Sequence, residues 1–458
     1  MERRFPAQGR LVAALAIAGV VFSSLTAGVP ASARDFALEP KRSPIPNGGL
    51  PATVTNCDDS GPGSLRDAYS NDAAEIDLTQ LTCSKITLTS GALTNSASTI
   101  DVTLTGPGDN LLTIGGNYAD RVLVHRGSGA LTIIGLGIAH GSYQGLVGGG
   151  CISSHGDVRL YSATVSGCQF GSTGGARALG GAIYAYGNFS MIASEVSNGR
   201  AHAPAADSAG GAVWANDIYV ALSTIADSVV SSDGGHAARG GGLYATRDAA
   251  VLYSTLTNNT ATNGGALFLL GVADYPMTIE NSTISGNHAR DSGGGVYSKY
   301  RSLVVTNTTI TLNTAADANG AGLHIASDTD LESTIVAGNL AGDAALPSDV
   351  GGPAGTLITG ADNLVVASTL SLPSGTLTLD PMLGPLHYNG GTTRTHALLP
   401  GSPAIDAGNN VAGAHYDQRF RSADPGSGFE RVIGPRADIG AFESGTPDRI
   451  FTDGFDGL

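Results

Sequence analysis

Over most of its length this chain alternates apolar and polar residues with a period of two. That spacing puts every second side chain on one side of an extended strand. Val158 and Leu160, Ile218 and Val220, Met277 and Ile279, and Leu303 and Val305 are four such pairs. The period then slips. Ser162, Leu222, Asn281 or Asn307 follows, and the next apolar residue (Val165, Ile225, Ile284 or Ile310) stands three positions on instead of two. Such a slip resets which residues face inward, as a corner between strands does.

The strand-and-corner unit recurs seven times and carries two marks. The first is Gly-Gly, a small residue and an apolar one, opening at Gly149, Gly180-Gly181, Gly210-Gly211, Gly240, Gly264-Gly265 and Gly293, with Gly-Ala at Gly320. The second is an apolar residue followed three later by Asn or a small residue: Val165/Cys168, Val196/Gly199, Ile225/Ser228, Leu256/Asn259, Ile284/Asn287, Ile310/Asn313 and Val336/Asn339. First and second marks lie 15–20 residues apart throughout, and the whole unit repeats every 24–31 residues. Repeats of this size mean stacked supersecondary units. Short strands joined by corners then predict an all-β parallel β-helix, a solenoid in which each strand pairs with its equivalent one coil above. Corner glycines permit tight turns and close approach of neighbouring coils. Asn259, Asn287, Asn313 and Asn339, at one corner of consecutive coils, are expected to stack as an amide ladder. Smaller Ser228, Gly199 and Cys168 would continue it upward.

Composition agrees and narrows the class. Gly supplies 66 of 458 residues, charged residues only 14% and apolar residues 41%. Few charges exclude a charged disordered chain, and scarce Lys and Glu argue against a helical protein. Arg3, Arg4 and Arg10 precede an apolar run over residues 11–22 and a small-residue site at Ala31-Ser32-Ala33. Residues 1–33 therefore read as a secretory signal peptide, with no transmembrane helix expected in the mature chain. The net charge of −15 disfavours nucleic acid as a partner. An exported chain can oxidise its four cysteines, and the nearest-neighbour pairings Cys57/Cys83 and Cys151/Cys168 are the preferred ones. No C-x-x-C spacing supports a metal site, and no cofactor is expected.

Longer motifs carry a family resemblance. The two repeat marks resemble those of polymorphic outer-membrane proteins and the wider right-handed parallel β-helix group. The stretch from Asn56-Cys57-Asp58-Asp59-Ser60 to Ser64-Leu65-Arg66 looks like the N-terminal cap of such secreted proteins, with Ser64 as N-cap of a short helix. Asn389-Gly390-Gly391, the run from Thr395 to Gly408, Asp417-Gln418-Arg419 and the run from Asp438 to Glu443 are similar to the choice-of-anchor Q domain. Phe420 stands where that motif has glycine. The resemblance implies a single-stranded right-handed solenoid with an N-terminal cap and a C-terminal capping or anchor region. The expected layout is signal peptide 1–33, linker 34–51, cap and first coils 52–135, repeat solenoid 136–340, C-terminal coils and anchor-like region 341–445, and a tail 446–458.

Candidate chemistry is sparse. The first three loops between the second mark and the next Gly-Gly are longer than the rest and should leave one side of the solenoid. They carry Arg177, His202, Asp207, Asp233, His236 and Arg239. Asp207 and Asp233, with His202 and His236 nearby, form the best catalytic or metal-binding constellation in the sequence. Asp406 and Asp438 read as turn-closing residues. Tyr184 and Trp214 occupy equivalent repeat positions, which favours stacking between coils. The resulting expectation is a non-enzymatic exported scaffold, adhesin-like or a matrix component, at the cell surface or outside the cell. Extracellular polysaccharide or cell-surface components are the expected partners. The alternative is a polysaccharide lyase or glycoside hydrolase of the pectate-lyase-like β-helix type.

Overall fold

A computed structural model describes residues 49–95, 99–271, 277–420 and 429–445. The expected signal peptide, residues 34–48 of the linker and the tail 446–458 lie outside the described residues. The described chain is a right-handed parallel β-solenoid of about ten turns with one short helix, α1 (Leu65–Ser70). Among the described residues no helix is long and apolar enough to cross a membrane.

One coil shows the path of all. Val158–Tyr161 lies on face 1, Thr164–Ser166 on face 2, Gln169–Ser172 on face 3 and Ile183–Ala185 on face 4, and Phe189–Ile192 then returns to face 1. Faces 1 to 4 hold 12, 11, 9 and 10 strands. Apart from one antiparallel pair at the end of face 3 (Leu340–Ala341 with Leu346–Pro347), pairing is parallel and in register, so equivalent residues of successive coils form columns. Ile138, Val165, Val196, Ile225, Leu256, Ile284, Ile310 and Val336 make one inward column on face 2. All are fully buried, and each such side chain contributes roughly 1.5–3 kcal/mol of hydrophobic stabilisation.

The period slips seen in the sequence are corners turned by a single residue with positive φ. Between faces 1 and 2 these are Ser162, Ala193, Leu222, Tyr253, Asn281, Asn307 and Ser333, with φ from 43° to 52°. From Ser194 on, the residue after each corner is Ser or Thr and forms a hydroxyl ladder that the repeat marks did not reveal. Backbone N–H groups of Ala163, Ser194, Ser223 and Ser254 donate to the hydroxyls of Ser194, Ser223, Ser254 and Ser282 one coil on, each at 3.1 Å.

Between faces 2 and 3 runs the asparagine ladder. Asn259, Asn287 and Asn313 each donate Nδ2 to Oδ1 of the next asparagine at 2.9–3.0 Å, and their backbone N–H groups reach the same oxygens. Ser228 and Gly199 extend the column upward through Ser228 N–H to Asn259 Oδ1 and Gly199 N–H to Ser228 Oγ. At the far end Asn339 donates to Asp349 Oδ1 from Nδ2 at 2.8 Å and from its backbone at 2.9 Å. A carboxylate oxygen only accepts, so it ends a ladder whose donors all point one way.

Opposite this ladder runs the glycine stripe, and together they pinch the coil into a neck. The core of faces 1, 2 and 4 lies on one side of the neck. A flange of face 3, its loop and a three-stranded sheet (Ala178–Leu179, Ser208–Ala209, Ala238–Arg239) lies on the other. A Cβ at Gly181, Gly211, Gly241 or Gly265 would sit 2.2–2.3 Å from a carbonyl oxygen of the next coil. Cys151 and Cys168, on the two sides of the neck in the first repeat coil, are joined by a disulfide. Closing a loop of 17 residues, it contributes about 3 kcal/mol.

The upper cap accounts for its motif residue by residue. Ser64 caps α1 by accepting from Asp67 N–H, and Cys57 is bonded to Cys83. Asp59 accepts from Arg66, from Thr89 N–H and Oγ1, and from Ser90 N–H at 2.7–3.0 Å. Burial opposes the Asp59 charge, but those donors win and hold its carboxyl far below the ordinary carboxylate range.

Replacing Gly211 by Ala should cost about 3 kcal/mol, because the added methyl has only backbone to displace. Gly175→Ala, at φ +75° on an open loop with nothing within 4 Å, should cost about 1 kcal/mol. Urea denaturation of the two variants checks the difference, and equal losses would remove the neck as a close contact.

Candidate functional site

The flange holds the four residues singled out for chemistry, and it splits them into two pairs. Asp207 directly precedes the strand Ser208–Ala209, which pairs with Ala238–Arg239, so Asp207 stands opposite Ala237. Asp233 follows Ser232, whose partner is Ala203, on the other limb of the loop. The two carboxylates therefore occupy different columns. Asp207 accepts from Arg239 at 2.9 Å and from Ala237 N–H at 3.0 Å, and His236 Nδ1 lies 3.8 Å away. Burial works against its charge, but Arg239 and the Ala237 N–H hold its carboxyl below the ordinary value.

His202 Nε2 lies 3.5 Å from Asp233 Oδ2, while its Nδ1 is 3.0 Å from Ser231 Oγ in the coil below. A hydroxyl, an imidazole and a carboxylate in line resemble a nucleophile relay. The same ring-to-hydroxyl contact recurs on this face between His288 and Thr314 at 2.9 Å, where no carboxylate is bonded to the ring. It is a cross-coil pair made by register. Among the described residues no group of three or more His, Cys, Asp or Glu is spaced to hold a metal ion.

Beside the flange, on the outer side of face 4, lies an aromatic column: Tyr184, Trp214, Tyr244, Phe268, Tyr297 and His324. Tyr184 and Trp214 stack at 5.0 Å and 13°, Tyr244 and Phe268 at 5.3 Å and 5°, and Phe268 and Tyr297 at 5.0 Å and 13°. Ring faces turned to one another cannot also stack on a sugar, so the column stiffens the wall.

A further assembly of buried polar groups lies where the C-terminal segment folds back over face 2. The segment contains one antiparallel pair, Leu383–His387 with Thr395–Leu398, and irregular chain to residue 445. The outward threonines Thr255, Thr283 and Thr309 beneath it are buried, while Thr164, Glu195 and Thr224 in the coils above are not. Gln418 does most of the docking. Its Nε2 donates to Thr255 Oγ1, Ser254 O and Thr393 Oγ1 at 3.0–3.2 Å, and its Oε1 accepts from Thr283 at 2.6 Å. His396 Nε2 lies 2.9 Å from Ser285 Oγ, and Ala441 N–H donates to Thr309 Oγ1 at 3.1 Å.

Other motif residues hold the segment to itself. Asp417 pairs with Arg419 at 2.6 Å and accepts from Glu443 N–H at 2.8 Å. The Arg419 guanidinium lies between the Phe429 and Phe442 rings at 4.3 and 3.8 Å. Phe420 closes the turn with its N–H on Asp417 O, and its ring packs against Tyr253 and Tyr416 on the outer wall. Asp438 accepts from Asp406 N–H at 2.8 Å and from Ser444 N–H at 2.5 Å.

Two groups here escaped sequence reasoning. Glu280 ends a face 1 strand and is buried, because it lies in a column with Leu252 and Thr306 that the C-terminal segment adjoins. Arg431 comes from irregular chain with no pattern to mark it, yet its side chain is fully buried. The hydroxyl ladder did leave a signal. Ser or Thr stands two positions before the apolar mark in six consecutive units, from Ser194 to Thr334.

Neither a scan against protein-family models nor searches of curated proteins and of solved structures found a match for this chain.

Gln418→Ala should remove about 3 kcal/mol from the docking of the C-terminal segment, because it strips partners from Thr255, Thr283 and Thr393. Hydrogen exchange should rise in residues 395–420 and stay unchanged in the strand Leu131–Ile134. A uniform rise through the solenoid would contradict that division.

Proposed function

We propose that this chain is an exported, non-enzymatic β-solenoid scaffold working at the cell surface or outside the cell, as an adhesin-like or matrix component. The observation that carries the non-enzymatic part is the commitment of Asp207. Its carboxylate is held by Arg239 and a backbone N–H, with His236 beside it, in a different column from Asp233. A general acid must carry a proton at neutral pH, which this carboxyl, held in its charged form, does not, and its bonds to Arg239 and the Ala237 N–H occupy the oxygens that a general base or nucleophile would use. Two disulfides support an oxidising compartment. About ten turns stacked at roughly 4.8 Å make a rod near 50 Å long, which suits display of a surface better than enclosure of a small substrate.

The right-handed repeat group that includes polymorphic outer-membrane proteins is the proposed kinship, and residues 341–445 are the proposed anchor-like region. The cap and C-terminal motifs support this, because Asp59, Ser64 and Arg66 tie the cap together and Asp417, Gln418, Arg419 and Asp438 tie the C-terminal segment together. Extracellular polysaccharide is the proposed ligand class.

Purified mature protein should bind one or more members of a panel of acidic and neutral polysaccharides without releasing reducing ends or unsaturated products. Product release that disappears in the double variant Asp207→Asn, Asp233→Asn would replace this proposal with the lyase or hydrolase alternative.

A further inference from the structure

The C-terminal segment closes over the solenoid with charge that does not balance. Buried at their junction are Glu280 from face 1 and Asp417, Arg419, Arg431, Asp438 and Glu443 from the segment. Arg419 is committed to Asp417 through Nε at 2.8 Å and Nη2 at 2.6 Å. Among the described residues that leaves Arg431 as the cation for Glu280, Asp438 and Glu443. Arg431 Nη2 donates to Asn307 Oδ1 at 3.2 Å and to Asp438 O at 2.5 Å. Its Nε and Nη1, together with Asn281 Oδ1 and Asn307 Nδ2, are buried without a hydrogen-bond partner in the protein. Asp438 and Glu443 each collect two backbone N–H donors, whereas Glu280 receives only Asn281 Nδ2 at 3.2 Å. Among the described residues, full ionisation therefore buries two uncompensated negative charges between the solenoid and the C-terminal segment, and removing charge from water without a partner is costly.

We propose that the C-terminal segment is a pH-governed clasp, closed over the threonines of face 2 in mild acid and loosened as the pH rises to neutrality. The direction follows from linkage. Burial pushes the Glu280 and Glu443 carboxyls up from 4.5 to about 7. Each binds its proton more tightly in the closed form, so the closed form is fully favoured below 4.5 and loses that advantage as the pH climbs to about 7. From the solenoid, Tyr219 and Tyr253 face this cluster, and burial pushes both phenols up so that they stay neutral. Asp362 and Glu332 meet Arg436 and Asn409 at the rim. His396 works in the opposite sense, since burial pushes it down and favours the closed form at higher pH. One such group opposes two carboxyls, so the sign stays with Glu280 and Glu443.

Hydrogen exchange on the full chain, expressed as protection factors corrected for intrinsic rate, tests this at pH 5.0 and 7.5. Segments 395–398 and 437–443 report on the clasp, and Leu131–Ile134 serves as internal reference. Wild-type protection in the clasp should fall by at least about tenfold between the two pH values while the reference holds. In the double variant Glu280→Gln, Glu443→Gln, where the amides mimic protonated carboxyls, clasp protection should hold or rise. Clasp protection in the wild type that is equal at both pH values, or that falls equally in wild type and variant, would overturn the proposal. The wild-type series decides the matter even if the variant fails to fold.

Discussion

Everything in this molecule depends on how closely one coil's backbone can lie against the next at the neck. There the second glycine of each pair leaves no room for a Cβ, because a carbonyl oxygen of the following coil occupies that space. The asparagine ladder sits directly across from it. A Cβ at Gly242, Gly295 or Gly322 would meet Asn259, Asn313 or Asn339 at 2.6–3.3 Å. Small residues on one side and a self-complementary amide on the other therefore solve one problem together. The chain must cross itself in every coil, and each crossing has to satisfy its backbone polar groups without water. In the first repeat coil a disulfide takes over that task, and at the last ladder position Asp349 does. Burial pushes the Asp349 carboxyl up against the bonds it accepts, a cost that the ladder's donor end offsets.

The neck also sorts the polar surface into functional territories. Outside it, the flange carries the exposed His and Asp residues, locked pairwise across coils by register. On the far side, face 2 offers a flat array of threonines, half open and half covered. The cover is the C-terminal segment, whose own fold rests on Asp417 and Arg419 and whose grip on the solenoid rests on Gln418. Adjacent residues thus serve different interfaces.

What was legible in the sequence was whatever repeats. Columns of Ile and Val, corner glycines, Asn259 to Asn339 and the pairing of Tyr184 with Trp214 are local patterns multiplied by register, so spacing alone revealed them. The hydroxyl ladder was equally periodic, but Ser and Thr are common enough here to hide it. Non-repeating contacts were not legible. Whether Asp207 met Asp233 or Arg239 depended on a loop limb whose register no period fixes. The burial of Glu280 required knowing that chain more than a hundred residues later folds back beside it. Phe420, a departure from its motif, became intelligible only with Tyr253 and Tyr416 beneath it.

Side-chain amide exchange at the ladder asparagines measures the central constraint most directly. With asparagine labelled selectively, the side-chain amide signals of Asn259, Asn287, Asn313 and Asn339 should persist for hours in D2O, because each Nδ2 proton pair is buried between successive coils. Exchange of those four within minutes, at the rate of exposed Asn258, would mean that the coils do not close on one another as described.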